Sequence, residues 1–185
     1  GSAVNCTFIN NNARTGGGAI SSGSATNCTF NSNSASEGGA MYYGSAVNCT
    51  FIRNYGGTNG GGAIYHGSAE NCTFINNTGS SGGAMRNGDA VNCTFNSNSA
   101  GAGGAMTGGS ATDCVFINNN ANGNGGAMNG YGYTAINCQF THNTAKNGGA
   151  AYQITANSCD FINNAATENG GAMYEGTASN CIFKD

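Results

Sequence analysis

Hydrophobic positions along the 185-residue chain fall in two short bursts that recur every 21 to 24 residues. The first burst reads Ala-x-Asn-Cys-x-Phe. Its nine cysteines are Cys6, Cys28, Cys49, Cys72, Cys93, Cys114, Cys138, Cys159 and Cys181. Two residues after each stands a phenylalanine: Phe8, Phe30, Phe51, Phe74, Phe95, Phe116, Phe140, Phe161 and Phe183. An alanine precedes each cysteine by three positions, from Ala3 through Ala178. The second burst is Gly-Gly-Ala followed by Ile or Met, beginning at Gly17, Gly38, Gly61, Gly82, Gly103, Gly125, Gly148 and Gly170, with Ala151 in place of Ile or Met once. Cys and Phe alternate with a polar residue, which is the two-residue period of a strand. The three- and four-residue steps of an amphipathic helix are missing.

A unit of this length, built of short strands and Gly turns, cannot bury its own apolar face and must stack on its neighbours. Each coil then pairs its backbone with the next at about 4.8 Å, so nine coils span roughly 43 Å. The handedness rule for parallel crossovers favours a right-handed wind. The expected fold is therefore all-β: one right-handed parallel β-helix of nine coils, a single β-solenoid repeat domain over residues 1–185. Variation in length supports this. The gap between the Asn after Phe and the next Gly-Gly-Ala runs from four residues (Ser34 to Glu37) to six (Tyr55 to Gly60), and two more residues are gained around Tyr131 and Tyr133. Such changes belong in exposed turns.

Cys and Phe share parity, so both are expected to face inward as a core ladder, with Thr7, Thr29 and Thr50 outward. The position after Ile or Met holds Ser21, Tyr42, Tyr65, Arg86, Thr107, Asn129, Tyr152 and Tyr174. A column containing Arg86 faces solvent, because unpaired charge is not buried. The Ile/Met column beside it therefore faces the core. Gly-Gly-Ala reads either as a tight bend or as a flat strip that lets a neighbour approach. Tyr42, Tyr65, Tyr152 and Tyr174 beside it are candidate interface residues, since aromatic side chains are enriched at interfaces.

Two asparagine columns run through the repeat. One follows Phe, at Asn11, Asn33, Asn54, Asn77, Asn98, Asn119, Asn143 and Asn164. The other precedes Cys, at Asn5, Asn27, Asn48, Asn71, Asn92, Asn137 and Asn180, with Asp113 and Ser158 in the remaining coils. Stacked in register, each amide can bond the copies above and below or turn backbone. Asn-Cys-Thr, met five times, is also an N-glycosylation acceptor. The favoured reading is a ladder with the Asn turned in.

The cysteine column places neighbouring Cβ atoms about 4.8 Å apart, beyond the usual disulfide range of about 3.5–4.5 Å. Buried free thiols acting as small hydrophobes are expected first. Some coil-to-coil disulfides come second. Metal comes last, because zinc wants four convergent ligands and His66 and His142 lie outside any Cys cluster. No cofactor is expected.

Charged residues make up 7% of the chain and the net charge is −3. Five scattered basic residues exclude a nucleic-acid footprint, which needs clustered Lys and Arg. No apolar run approaches the ~20 residues that span a bilayer. The chain opens mid-repeat without a signal peptide, as expected of a removed leader or an excised segment. The eight acidic residues fall in different coils and columns, so no carboxylate pair at the ~5–9.5 Å of a glycosidase is expected. The Thr column from Thr7 to Thr94 is single file and reads as an outward β-former rather than an ice-binding array. The expectation is a protein that is not an enzyme.

Phe8-Ile9-Asn10-Asn11 with Gly17-Gly18-Ala19-Ile20, and Phe74-Ile75-Asn76-Asn77 with Gly82-Gly83-Ala84-Met85, are specific paired signatures. They resemble the repeat of the chlamydial polymorphic outer membrane proteins, and the adhesin-like surface proteins of methanogenic archaea. The resemblance covers essentially the whole chain and implies a right-handed β-helix on the cell exterior. It supplies no catalytic residue. Two function classes follow. The first is a structural protein, a subunit of a self-assembling extracellular filament, sheath or surface layer with itself as partner. It is favoured because both ends stop mid-repeat and uncovered edges template further pairing. The second is an adhesin-like stalk or passenger segment of a longer protein, meeting a host or cell-surface ligand.

Overall fold

A computed structural model describes residues 1–185. It holds 29 short strands and no helix, and every pairing between strands is parallel. The strands form three sheets that run the length of a parallel β-solenoid. The Thr-Phe-x segments, from Thr7–Ile9 to Ile182–Lys184, make a nine-stranded sheet in strict coil order. Its register sets Phe on Phe at every step, as in Phe51 on Phe30 and Phe74 on Phe51. A 13-stranded sheet collects the Ile/Met and x-Ala-x segments, which merge into single strands at Met41–Val47, Ile64–Glu70, Met128–Ile136 and Ala151–Asn157.

The third sheet is seven-stranded, from Ser34–Ala35 to Ala165–Asn169. It occupies the start of the stretch that the sequence offers only as a variable gap. Its inward residues are small, at Ala35, Gly56, Gly79, Ala100, Ala121 and Ala145, all buried. No large apolar side chain marks it. The extra gap residues fall after this strand, as at Thr58 and Asn59, both exposed, while the residues gained around Tyr131 lie within the strand Met128–Ile136.

Strands meet at corners in left-handed backbone conformation, which non-Gly residues visit rarely and Asn, Asp and His most readily. Each coil has one immediately before Cys, at φ between 51° and 54° from Asn5 to Asn180. A second lies two residues after Phe, as at Asn10, Ser32 and Asn76, and a third two residues after Ile or Met, as at Ser22, Tyr43 and His66. The corner before Cys corrects an expectation. Asn5, Asn27, Asn48, Asn71 and Asn92 are exposed rather than turned in. The left-handed residue breaks strand alternation, so Ala and Cys both point inward across it and the Asn between them points out.

Gly-Gly-Ala also departs from the flat outer strip. The first glycine adopts the left-handed region in every motif but the one at Gly61, at φ 58° in Gly38. At the second, coils approach backbone to backbone: a Cβ on Gly62 would sit 1.9 Å from the Gly83 carbonyl oxygen. From Gly38 to Ala150 the motif is buried, so it is a tight bend against the next coil and not a surface.

The core is a narrow column of Ala, Cys, Phe and Ile/Met. Phenylalanines from Phe30 to Phe161 are no more than 1% exposed. Met41, Ile64, Met85, Met106 and Met128 are buried beside them. Thr7 is exposed while Thr29 and Thr50 point outward half-buried, flanked by column neighbours on both sides.

Candidate functional site

Three ladders occupy the interior. Consecutive Phe rings stack with centroids 4.7–4.8 Å apart and planes within 6°. The column covers all nine residues from Phe8 to Phe183, the end members more open than the rest, with Phe183 49% exposed. At these distances the rings lie at dispersion contact and exclude water between coils.

Asn33, Asn54, Asn77, Asn98, Asn119, Asn143 and Asn164 form the second ladder, all buried. The Asn33 Nδ2 donates to Asn54 Oδ1 at 3.0 Å and to the Phe8 carbonyl at 3.0 Å, while the Asn33 backbone N–H donates to the same Asn54 Oδ1. Two donors and a twice-used acceptor repeat in every interior coil. No buried side-chain nitrogen or oxygen lacks a partner. Burial of these amides therefore carries no unmet desolvation cost.

The third ladder is the thiols. Cys28, Cys49, Cys72, Cys93, Cys114, Cys138 and Cys159 are buried, Cys181 is half-buried and Cys6 exposed, and all nine are unpaired. Each interior sulfur donates to the carbonyl two residues back, as Cys49 Sγ to Val47 at 3.2 Å. Each except Cys138 also accepts the preceding coil's Cys N–H, as Cys49 does from Cys28 at 3.4 Å. A thiol here serves the corner backbone in both directions. The Cys49 thiol is pushed up first by its hydrogen bond with Cys72 and then by burial, and Cys159 likewise by Cys138 and burial.

The outer face of the 13-stranded sheet carries the aromatic side chains. Tyr42 and Tyr65 stack at 5.6 Å with planes 2° apart. Tyr43 and His66, at the following corner, stack beside them at 4.9 Å. The Arg86 guanidinium lies 5.7 Å above the Tyr65 ring. Tyr152 and Tyr174 form a separate pair, 5.8 Å apart and tilted. Tyr152 Oη and Gln153 Nε2 both donate to the Glu175 carboxylate, at 3.1 and 3.0 Å. This bond raises the Tyr152 phenol above its ordinary range. A shallow cavity of about 330 Å³ lies alongside, lined by Tyr131, Gln153, Thr155, Glu175 and Thr177 among others.

The four tyrosines singled out in the sequence are thus two patches. Arg86, Thr107 and Asn129 separate them, and four coil steps put Tyr65 and Tyr152 roughly 19 Å apart. Sequence reasoning missed Tyr43 and His66, which share no column with the tyrosines but sit at the left-handed corner next to them. Tyr131 reads in the sequence only as a turn residue. The inserted residues hold it 87% exposed at a bulge between Asn129 and Tyr133.

The fold and its ladders define a parallel β-solenoid repeat protein. The model of the Chlamydia polymorphic membrane protein repeat matches residues 5–23. That segment holds the first Asn-Cys-Thr-Phe and the first Gly-Gly-Ala-Ile, and the resemblance read from the sequence stands on it. No curated protein matches the chain. Among solved structures, a trypsin-treated form of QnrB1, a plasmid-mediated fluoroquinolone resistance protein, is similar at 12% identity with a TM-score of 0.27. The alignment covers 96% of this chain and 91% of that one.

Proposed function

We propose that the chain is a non-enzymatic structural element of a cell surface, a solenoid subunit that assembles with copies of itself into a filament, sheath or layer. One observation carries the reading: the Phe, Asn and Cys ladders run in register through the stack with every buried side-chain nitrogen and oxygen partnered. Such a stack offers stiffness and a templating edge rather than a reaction centre. The match to a surface-protein repeat supports the location. A coil bearing Ala-x-Asn-Cys-x-Phe meets any other such coil with the same donors and acceptors, so a second copy placed end-on continues all three ladders. That contact is heterologous, and it grows an open fibre when it does not close.

The stacked Tyr42, Tyr43, Tyr65 and His66 favour a second reading, an adhesin-like stalk whose outer face meets a surface ligand. Light scattering and electron microscopy over a rising concentration series separate the two. Assembly predicts fibres of one coil's width, and Thr7→Pro, which removes a backbone donor facing away from the stack at its first strand, abolishes them. A chain that stays monomeric at high concentration, or a Thr7→Pro chain that forms unchanged fibres, rejects assembly and leaves the stalk.

A further inference from the structure

We infer that the exposed edge formed by Asn5, Asn27, Asn48, Asn71 and Asn92 is a row of N-glycan acceptors, used on alternate coils. The inference rests on the surface reading, since the modification belongs to exported chains.

Three observations converge on it. First, the fold does not use these amides. All five side chains are exposed, and Asn5, Asn27 and Asn48 make no side-chain hydrogen bond; Asn92 Nδ2 donates to Asn71 Oδ1 at 2.7 Å in solvent. Second, the corner asks only for a residue that tolerates the left-handed region. Asp113 and Ser158 satisfy it at the same φ of 54°. Third, the sheet does not ask for Thr two residues later. That position holds Thr7, Thr29, Thr50, Thr73 and Thr94, then Val115, Gln139, Asp160 and Ile182, all in one register. The fold explains the Asn and leaves the hydroxyl unexplained. An acceptor Asn-x-Thr needs both. The chain carries its own comparison, because Asn137 and Asn180 occupy the same corner without Thr.

Spacing limits occupancy. Neighbouring acceptors lie one coil apart, 4.7–4.8 Å by the Phe stack. N-linked glycans are bulky, and alternate coils give them about 9.6 Å. No more than three on this edge are filled together, on Asn5, Asn48 and Asn92. Transfer forms the bond from Nδ2 to the sugar C1 and breaks the bond from C1 to the phosphate oxygen of a lipid-linked oligosaccharide donor. The lipid phosphate leaves, and the amide proton passes to the transferase's base.

The test is glycopeptide mass spectrometry on the protein isolated from its own cells, with surface labelling of intact cells read in parallel. The expected result is glycan on Asn-Cys-Thr peptides, never more than three per chain on this edge, with Asn137 and Asn180 bare. Thr50→Val, which keeps a β-branched outward residue, abolishes the glycan at Asn48. Labelled surface protein with all five acceptors bare overturns the inference and leaves the surface reading intact. Equal modification at Asn137, or a Thr50→Val chain still modified at Asn48, overturns it as well. Absence from the surface rejects both.

Discussion

Ala151 and Ile154 trade sizes with their columns. Ala151 sits in register between Met128 and Met173, and Ile154 pairs with Tyr133 at a position where every other coil has glycine, as at Gly44 and Gly176. In those coils the methionine fills the space: a Cβ on Gly176 would lie 2.9 Å from Met173 Cε, and one on Gly44 3.3 Å from Met41 Cε. In coil eight Ile154, 1% exposed, fills that space from the other side. Ile154→Gly is expected to cost about 3 kcal/mol through the cavity it leaves. Ala151→Met alone is expected to cost about 1–3 kcal/mol by overpacking. The double variant is expected to recover most of both losses in a urea-denaturation cycle; additive losses would show that the two side chains do not share one space.

Two of the thiols, Cys49 and Cys159, set a pH dependence at the same scale, while hydrogen bonds from the sulfurs on either side shift Cys93 and Cys138 the other way. Cys49 and Cys159 hold their protons more tightly in the fold than an ordinary thiol, through the neighbouring sulfur and burial. Below the unfolded thiol value of about 8.5 both states are protonated and the contribution is fully present. As pH rises past that value the unfolded chain ionises first, and stability falls by up to about 1.4 kcal/mol per pH unit per thiol. Denaturation under reductant between pH 7 and 10 checks the sign; stability that rises above pH 9 would contradict neutral thiols at Cys49 and Cys159. At this scale the sequence is a good guide to Phe and Cys, which stand at strand parity, and to the Asn after Phe, which recurs at one fixed offset from Asn11 to Asn164. It misdirects at the Asn before Cys. The cue is present, since Ala and Cys stand three apart, an odd step that two inward residues can share only across a corner.

Among the elements, the two sheets built on Phe and on Ile/Met are legible in the sequence, and the third is not. Its strands are as short as two residues and face inward with Ala or Gly, so periodicity has nothing large to register. Glycine suggests an outer strip in the sequence, whereas its need lies between coils. A Cβ on Gly126 would meet the Gly149 carbonyl oxygen at 1.9 Å and that of Thr144 at 2.6 Å, both backbone atoms that cannot give way. Gly126→Ala is expected to push neighbouring coils apart and to cost more than a core truncation, over about 3 kcal/mol. Deleting Thr58 and Asn59, which restores the four-residue gap found at Ser34 to Glu37, is expected to change stability by less than about 1 kcal/mol. Thermal melts of the two variants decide this. A benign Gly126→Ala would mean the coils do not approach as closely as their hydrogen bonds indicate.

Over the whole molecule, each coil contacts only the coils on either side, so stability is close to a sum of coil terms and nearest-neighbour interfaces. The sheets have no helix to cover them, and the surface is set by the corners. The Asn-Cys-Thr edge and the tyrosine face lie on different sides of the Ala-x-Asn corner, so glycan on the first leaves the second open. Function is the least legible level. Repetition spreads the same side chains over every coil, and the departures from it — Arg86, the Tyr131 insertion, the loss of Thr after coil five — are where surface chemistry differs.

The central claim is that stacked coils, not a reaction centre, are what this chain contributes to a surface, and the axial repeat of the native material tests it most directly. Cryo-electron microscopy or diffraction from isolated surface material labelled for this protein is expected to show rods with a repeat of about 4.8 Å along their long axis. Globular particles, or a spacing of about 4.8 Å confined to the direction across the rods, would contradict the account.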